Sequence, residues 1–295
     1  MELKIGQRVA SFGRLGPSLS HFAVAGCLAL LVSLPAPARA DGVFPMDQLG
    51  KARTLYNEGR YEAAIEAAGK AQQEPLQRDA ATLILGRAGL ERFRYTADPG
   101  DLKRAREALR SVDAGNLTPR DRTDLLIGMG EALFFDESYR PAADLFESML
   151  NGEAELTPTA RDQVLDWWAT AIDRYVRILP AAERAAAYDH LIEHMEAELR
   201  RDSGSGAAAY WLAAAAFARG QVERAWHAAI SGWVRALLTA DRGAALRPDL
   251  DRLVREAIIP ERVRRLPIAG TPEAEQAQAG MLAEWDLVKE KWTQK

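Results

Sequence analysis

The chain predicts an all-α protein built of antiparallel helix pairs, and three observations carry that reading. From residue 48 onward, alanine and leucine recur at three- and four-residue spacing, the period of a helix with one apolar face. Strand-like alternation of β-branched residues is absent. Proline or glycine punctuates the chain roughly every 15 to 25 residues, the length of one helix and its turn. The 295 residues are 48% hydrophobic and 27% charged, which suits a folded chain with a sizeable core and excludes disorder throughout.

The first forty residues stand apart. Lys4, Arg8 and Arg14 precede an apolar run from Phe22 to Leu34, and PAPARA then ends on small residues at Ala40. This is the layout of a secretory signal peptide, so residues 1–40 are expected to be removed after Ala40 and the protein exported to the periplasm or beyond. The apolar run is short of the roughly 20 residues that span a bilayer, which leaves a permanent anchor as the alternative. Val24-Ala25-Gly26-Cys27 resembles the box at which bacterial lipoproteins are cleaved and acylated. However, the apolar stretch runs on past Cys27 where such a box should end it.

Removal of residues 1–40 takes away the only cysteine and leaves 34 basic against 41 acidic side chains, a net charge of −7. No disulfide can then staple the fold, so packed apolar faces must hold it. An acidic chain without a dense Lys/Arg tract argues against nucleic acid or anionic lipid as partner, since both are bound mainly through positive charge.

Internal repetition orders the rest. NEGRYEAAIEAAGKA (57–71) supplies a turn and a helix with Ala64, Ala68 and Ala71 on one face. SYRPAADLFESML (138–150) repeats it with Tyr139, Ala142, Phe146 and Met149, and ARGQVERAWHAAISGW (218–233) with Val222, Ala225, Ala229 and Gly232. Weaker copies carry Ala105, Leu109 and Val112, then Ala187, Leu191 and His194. Each anchor follows a partner helix with a small residue at its midpoint: Ala52, Gly86, Gly130, Ala169 and Ala213. Small residues there let two helices approach closely, and stacking of successive pairs buries what one pair leaves open.

These residues resemble the tetratricopeptide repeat family, best carried by LILGRAGL (83–90) and IGMGEALFFDESYRPAADLFESML (127–150), over residues 46 to 240. The resemblance implies a right-handed superhelix of about five antiparallel helix pairs. Departures from the family pattern are Ala68, Leu109 and Ala229 where it has phenylalanine. RFRYTADPGD is expected to insert a longer turn, and the second and fourth pairs to be irregular.

The repeat domain is assigned to residues 41–245 and C-terminal capping helices to 246–295. A helix from Asp249 to about Arg265 is expected to be interrupted by Pro260. A last helix should present Leu282, Trp285, Val288 and Trp292 as one apolar stripe.

Reactive groups are sparse. His190, Glu193 and His194 spell H-x-x-E-H, a pattern of zinc-binding helices in one metalloprotease class, but no third ligand or α/β context accompanies it. The remaining serines lack a nucleophile-elbow context, Asp121 and Asp124 suit a helix start, and no phosphate-binding glycine loop is present. No cofactor or catalytic residue is expected, and the zinc hydrolase stays a remote alternative.

The resemblance instead implies a partner groove lined by the first helix of each pair. It selects Arg53, Tyr56 and Asn57, then Arg87 and Leu90, then Glu131 and Phe134, then Asp166 and Thr170, then Tyr210 and Phe217. Aromatic anchors beside scattered charges suit a protein or peptide. The expected function is a non-catalytic binding scaffold; the alternative is a structural subunit of an envelope complex that uses its outer face or C-terminal helix.

Overall fold

The computed structural model describes residues 47–152, 156–267 and 270–293; the expected signal peptide, its cleavage point and Cys27 lie outside them. Every regular element among the described residues is helical: α1 (Gln48–Asn57), α2 (Tyr61–Ala71), α3 (Arg78–Thr96), α4 (Pro99–Ser111), α5 (Pro119–Phe135), α6 (Tyr139–Asn151), α7 (Pro158–Val176), α8 (Ala181–Arg201), α9 (Gly206–Ala218), α10 (Val222–Arg235), α11 (Leu246–Leu253), α12 (Ile259–Arg264) and α13 (Pro272–Thr293). Helices adjacent in sequence pack side by side. The chain divides between Asp121 and Arg122 into two compact units.

Local chemistry sets the helix starts. Asp47, Asp98, Thr157 and Ser205 each accept a backbone N–H of the first turn, and Pro99 and Pro158 open their helices where a missing N–H costs nothing. Three turns share one cap. Gly59, Glu137 and Gly220 adopt left-handed φ of 73°, 61° and 85°. Their N–H groups donate to the carbonyls of Tyr56, Phe134 and Phe217, and the next N–H reaches Leu55, Leu133 and Ala216. The second and fourth turns are built differently. RFRY stays helical, so α3 runs to Thr96 and the expected long turn shrinks to Ala97, with φ 53°, and Asp98.

In the N-terminal unit, α2 lies against both α1 and α3: Ala64, Ala67, Ala68 and Ala71 form one core with Ala52, Leu55, Ala81, Ile84 and Ala88. Gly86 was expected as the small residue where its helix crosses the Ala105 helix. It faces α4, where a Cβ would come within 2.6 Å of Leu109 Cγ and 3.3 Å of the Ala105 carbonyl oxygen. Asp101, buried at the start of α4, ties that helix to α3 through Arg92 and Thr96 and is also bound by Arg104. The hydrogen bond from Arg92, with Arg104 and Thr96 adding to it, holds the Asp101 carboxyl down to about 2.

In the C-terminal unit, a Cβ on Gly130 would lie 2.4 Å from Phe146 Cζ, so the two helices cross at van der Waals contact there. Helix α9 packs on α7, α8, α10 and α11, and its alanines 207–209 and 213–216 are all buried. On α8 the buried stripe is Tyr188, Leu191, Ile192, Met195 and Glu198; the expected anchor Ala187 is half-exposed. Tyr188 takes the inward place because its hydroxyl donates to Asp173 on α7 at 2.9 Å.

Before Pro260 the chain widens into a π turn at Val254–Ile258, which joins α11 to α12 where proline cannot donate to the preceding turn. Trp285 of α13 is fully buried between Trp226 and Trp233, and its indole N–H donates to Asp251 at 2.8 Å. Leu282 and Val288 pack beside it, whereas Trp292 of the expected stripe stays 43% exposed.

Two substitutions of one kind should have opposite signs. Alanine favours a helix over glycine by about 1 kcal/mol, and Gly280 of α13 has nothing within 4 Å of a built Cβ. Gly280→Ala is therefore expected to stabilise, whereas Gly130→Ala should destabilise by about 1–3 kcal/mol because overpacking exceeds the propensity gain. Glu137→Gly should add about 1 kcal/mol by relieving the left-handed backbone. Urea unfolding midpoints of the three variants check all three signs.

Candidate functional site

The first helices of the two units carry the expected groove residues. In the N-terminal unit, Arg53 stands half-exposed on α1 and donates through Nη2 to both Asp121 oxygens at 3.0 Å. Thr118 donates its hydroxyl to the same carboxylate and accepts the Asp121 N–H, a cap that opens α5. Tyr56 lies under the Arg87 guanidinium, 5.1 Å from ring centroid to Cζ, and meets Tyr61 edge-on at 5.8 Å. Asn57 is exposed at the end of α1. Leu90 has no exposed surface and belongs to the interior, and Arg87 is buried.

In the C-terminal unit the same pattern holds. Phe134 is half-buried, with Tyr139 and Trp167 each 5.2 Å away. Phe217 is half-buried against the core. Glu131, Asp166, Thr170 and Tyr210 are buried. The Asp166 carboxylate accepts the Trp211 indole N–H at 2.8 Å, and its backbone carbonyl accepts the Thr170 hydroxyl at 2.7 Å, while Tyr210 meets Trp211 edge-on. Five of the eleven residues, Arg53, Tyr56, Asn57, Phe134 and Phe217, thus reach solvent, and the rest serve the packing of helices covered on more than one side.

The other buried charges are similarly engaged. Asp173 accepts from Tyr188 and from Arg177 at 2.7 Å, and burial followed by the Asp173 charge pushes the Tyr188 phenol up. Glu198 accepts from Arg161 and Arg201. Burial alone would raise its carboxyl, and the bonds from Arg201 and Arg161 reverse that to a net lowering.

Of the H-x-x-E-H residues, Glu193 is exposed, and His190 is largely exposed with Nε2 3.5 Å from Glu147 Oε1. His194 packs on Trp168 at 4.5 Å and lies 6.3 Å from the His190 ring. Among the described residues, no group of three or more His, Cys, Asp and Glu side chains is placed to hold a metal ion. Nor is any helix among them long and apolar enough to cross a membrane.

Tyr95 and Tyr175 were missed by reading the sequence for a groove. Each is the next-to-last residue of its helix, the place that Tyr56, Phe134 and Phe217 hold in theirs. The signal was present as an aromatic recurring every 39 to 42 residues, hidden at Tyr95 because RFRYTADPGD reads as a longer turn. The chain matches no protein-family model, no curated protein and no solved structure.

A pH dependence follows from the histidine pair. Burial, then the neighbouring His190, holds the His194 imidazole below the ordinary histidine value of 6.5. The unfolded chain therefore binds this proton more readily. The stability it confers is complete above that value, falls as pH drops below it, and levels off once the folded-state value is passed. Urea midpoints measured from about pH 7.5 to 5 should fall less steeply for His194→Gln than for the unaltered protein.

Proposed function

We propose that the protein is a non-catalytic scaffold, exported to the periplasm or cell envelope, that binds protein or peptide partners along the first helices of a tetratricopeptide-like superhelix. One observation carries the reading: five helix pairs follow one another, and the first helix of each places an aromatic residue at or near the surface beside its turn. Repetition of one partly or fully exposed ring per helix pair suits an extended partner touched at several points, where aromatic side chains supply most of the binding energy. Arg53 and Asn57 flank Tyr56 and supply polar register. The basic start, short apolar run and small residues to Ala40 support export. The engagement of the buried carboxylates in structural bonds supports a role without catalysis.

A structural subunit that docks through its C-terminal helix is the second reading, favoured by Leu287 of α13, which is 65% exposed. Affinity capture from envelope extract separates the two. The full chain is compared with an Asn57→Ala, Phe134→Leu variant and with Leu287→Glu. Loss of partners by the first variant alone is the expected result, identical partner sets would refute the first-helix surface, and loss by Leu287→Glu alone would favour the subunit.

A further inference from the structure

Helix α13 has a seated face and a free one. Ala274 and Trp285 are buried, and Met281, Leu282 and Val288 pack beside them against the core. On the opposite side Glu273, Gln276, Gly280, Ala283, Leu287 and Lys291 recur at the three- and four-residue spacing of one helix face, and all six are exposed. Leu287 is 65% exposed, and a Cβ built on Gly280, two turns before it, meets nothing within 4 Å. The free face therefore carries a projecting apolar side chain and, two turns away, the room to receive one.

A single exposed leucine is ordinary on a protein surface. What selects the occupant is the order of charge along the face. Glu273 opens it and Lys291 closes it, about five turns apart on one line. Lys291 lies beside the Trp292 ring at 5.7 Å and forms no ion pair among the described residues. A second copy of the helix laid antiparallel sets each Glu273 against the Lys291 of the other copy, whereas a parallel pair sets like charges together. The same antiparallel register places each Leu287 at the gap between Gln276 and Gly280 of the other copy. It also brings the two Ala283 residues together near the two-fold axis, where small side chains let helices approach closely. Two apolar contacts and two ion pairs thus arise from one face, as a self-complementary two-fold interface requires.

We propose that the free face of α13 pairs antiparallel with the same face of a second copy, so that the protein forms a two-fold dimer through its last helix. The inference goes beyond the scaffold reading and does not rest on it. One helix pair lies below the roughly 1,200–2,000 Å² buried in a stable complex. The dimer is therefore weak, dissociating at about 10 µM and below.

Sedimentation equilibrium of the full chain from about 5 to about 500 µM tests the proposal. The weight-average mass should climb from that of one chain towards that of two. Leu287→Glu should raise the dissociation constant roughly tenfold or more. Lys291→Glu, which sets a carboxylate against Glu273, should raise it about five- to tenfold. The double variant Glu273→Lys, Lys291→Glu restores opposite charges and should regain most of that loss. Added salt should weaken the unaltered dimer and strengthen that of Lys291→Glu. The substituted positions are exposed, so unchanged circular dichroism and thermal melts verify that folding is intact. A single-chain mass at every concentration, association that Leu287→Glu leaves untouched, or a double variant no better than Lys291→Glu would overturn the proposal.

Discussion

Helix α9 is the part of the C-terminal unit on which the rest depends. Four helices pack on it, so most of its positions must be small and apolar. Alanine answers that constraint: it is the best helix former, loses no side-chain entropy on burial, and lets neighbouring backbones come close. Seven alanines of α9 are buried, and the larger volumes come from its own Tyr210 and Trp211 together with Trp168 on α7 and Trp226 and Trp233 on α10. The same logic appears at single points in other pairs. Gly130 admits the Phe146 ring, and Gly86 admits Leu109.

Close packing of this kind forces decisions about polar groups. A buried carboxylate without partners is costly, so matched pairs between the helices fix their register. Asp162 accepts the Ser205 hydroxyl and the Ala207 N–H, and Asp166 accepts Trp211, which pins α7 to the beginning and middle of α9. Asp173 and Tyr188 join α7 to α8, Glu198 and Arg161 join the other ends of the same two helices, and Asp101 joins α4 to α3. Interior polar groups used in this way are committed to architecture. The ends of the first helices are built differently: an aromatic residue stands at the edge of the packing in each, and in four of the five a left-handed residue, Gly59, Ala97, Glu137 or Gly220, then turns the chain.

Much of the fold was legible because it is written in small residues. Ala64, Ala105, Ala142 and Ala225 anchor the second helices where their spacing placed them, and Ala52, Gly86, Gly130, Ala169 and Ala213 are buried opposite. The failures have one cause, namely partners that are distant in sequence. Ala187 looks like an anchor by period alone, but Tyr188 is inward because Asp173 waits for its hydroxyl. Leu90, Thr170 and Tyr210 look like one face of an amphipathic helix, yet helices covered on several sides have no such face to offer. Tyr95 was hidden for the converse reason: it sits among arginines that read as part of a longer turn, whereas the helix continues through them to Thr96.

Within each unit, differences in burial should order the helices by amide exchange. The measurement is hydrogen–deuterium exchange of the full chain resolved to individual helices, with α3, α7 and α9 compared against α4 and α8. The account predicts the slowest exchange in α9, whose residues are almost all buried, followed by α3 and α7, and earlier exchange in α4 and α8, whose outer faces are open. Protection of α4 and α8 equal to that of α9, or early opening of α9, would contradict it.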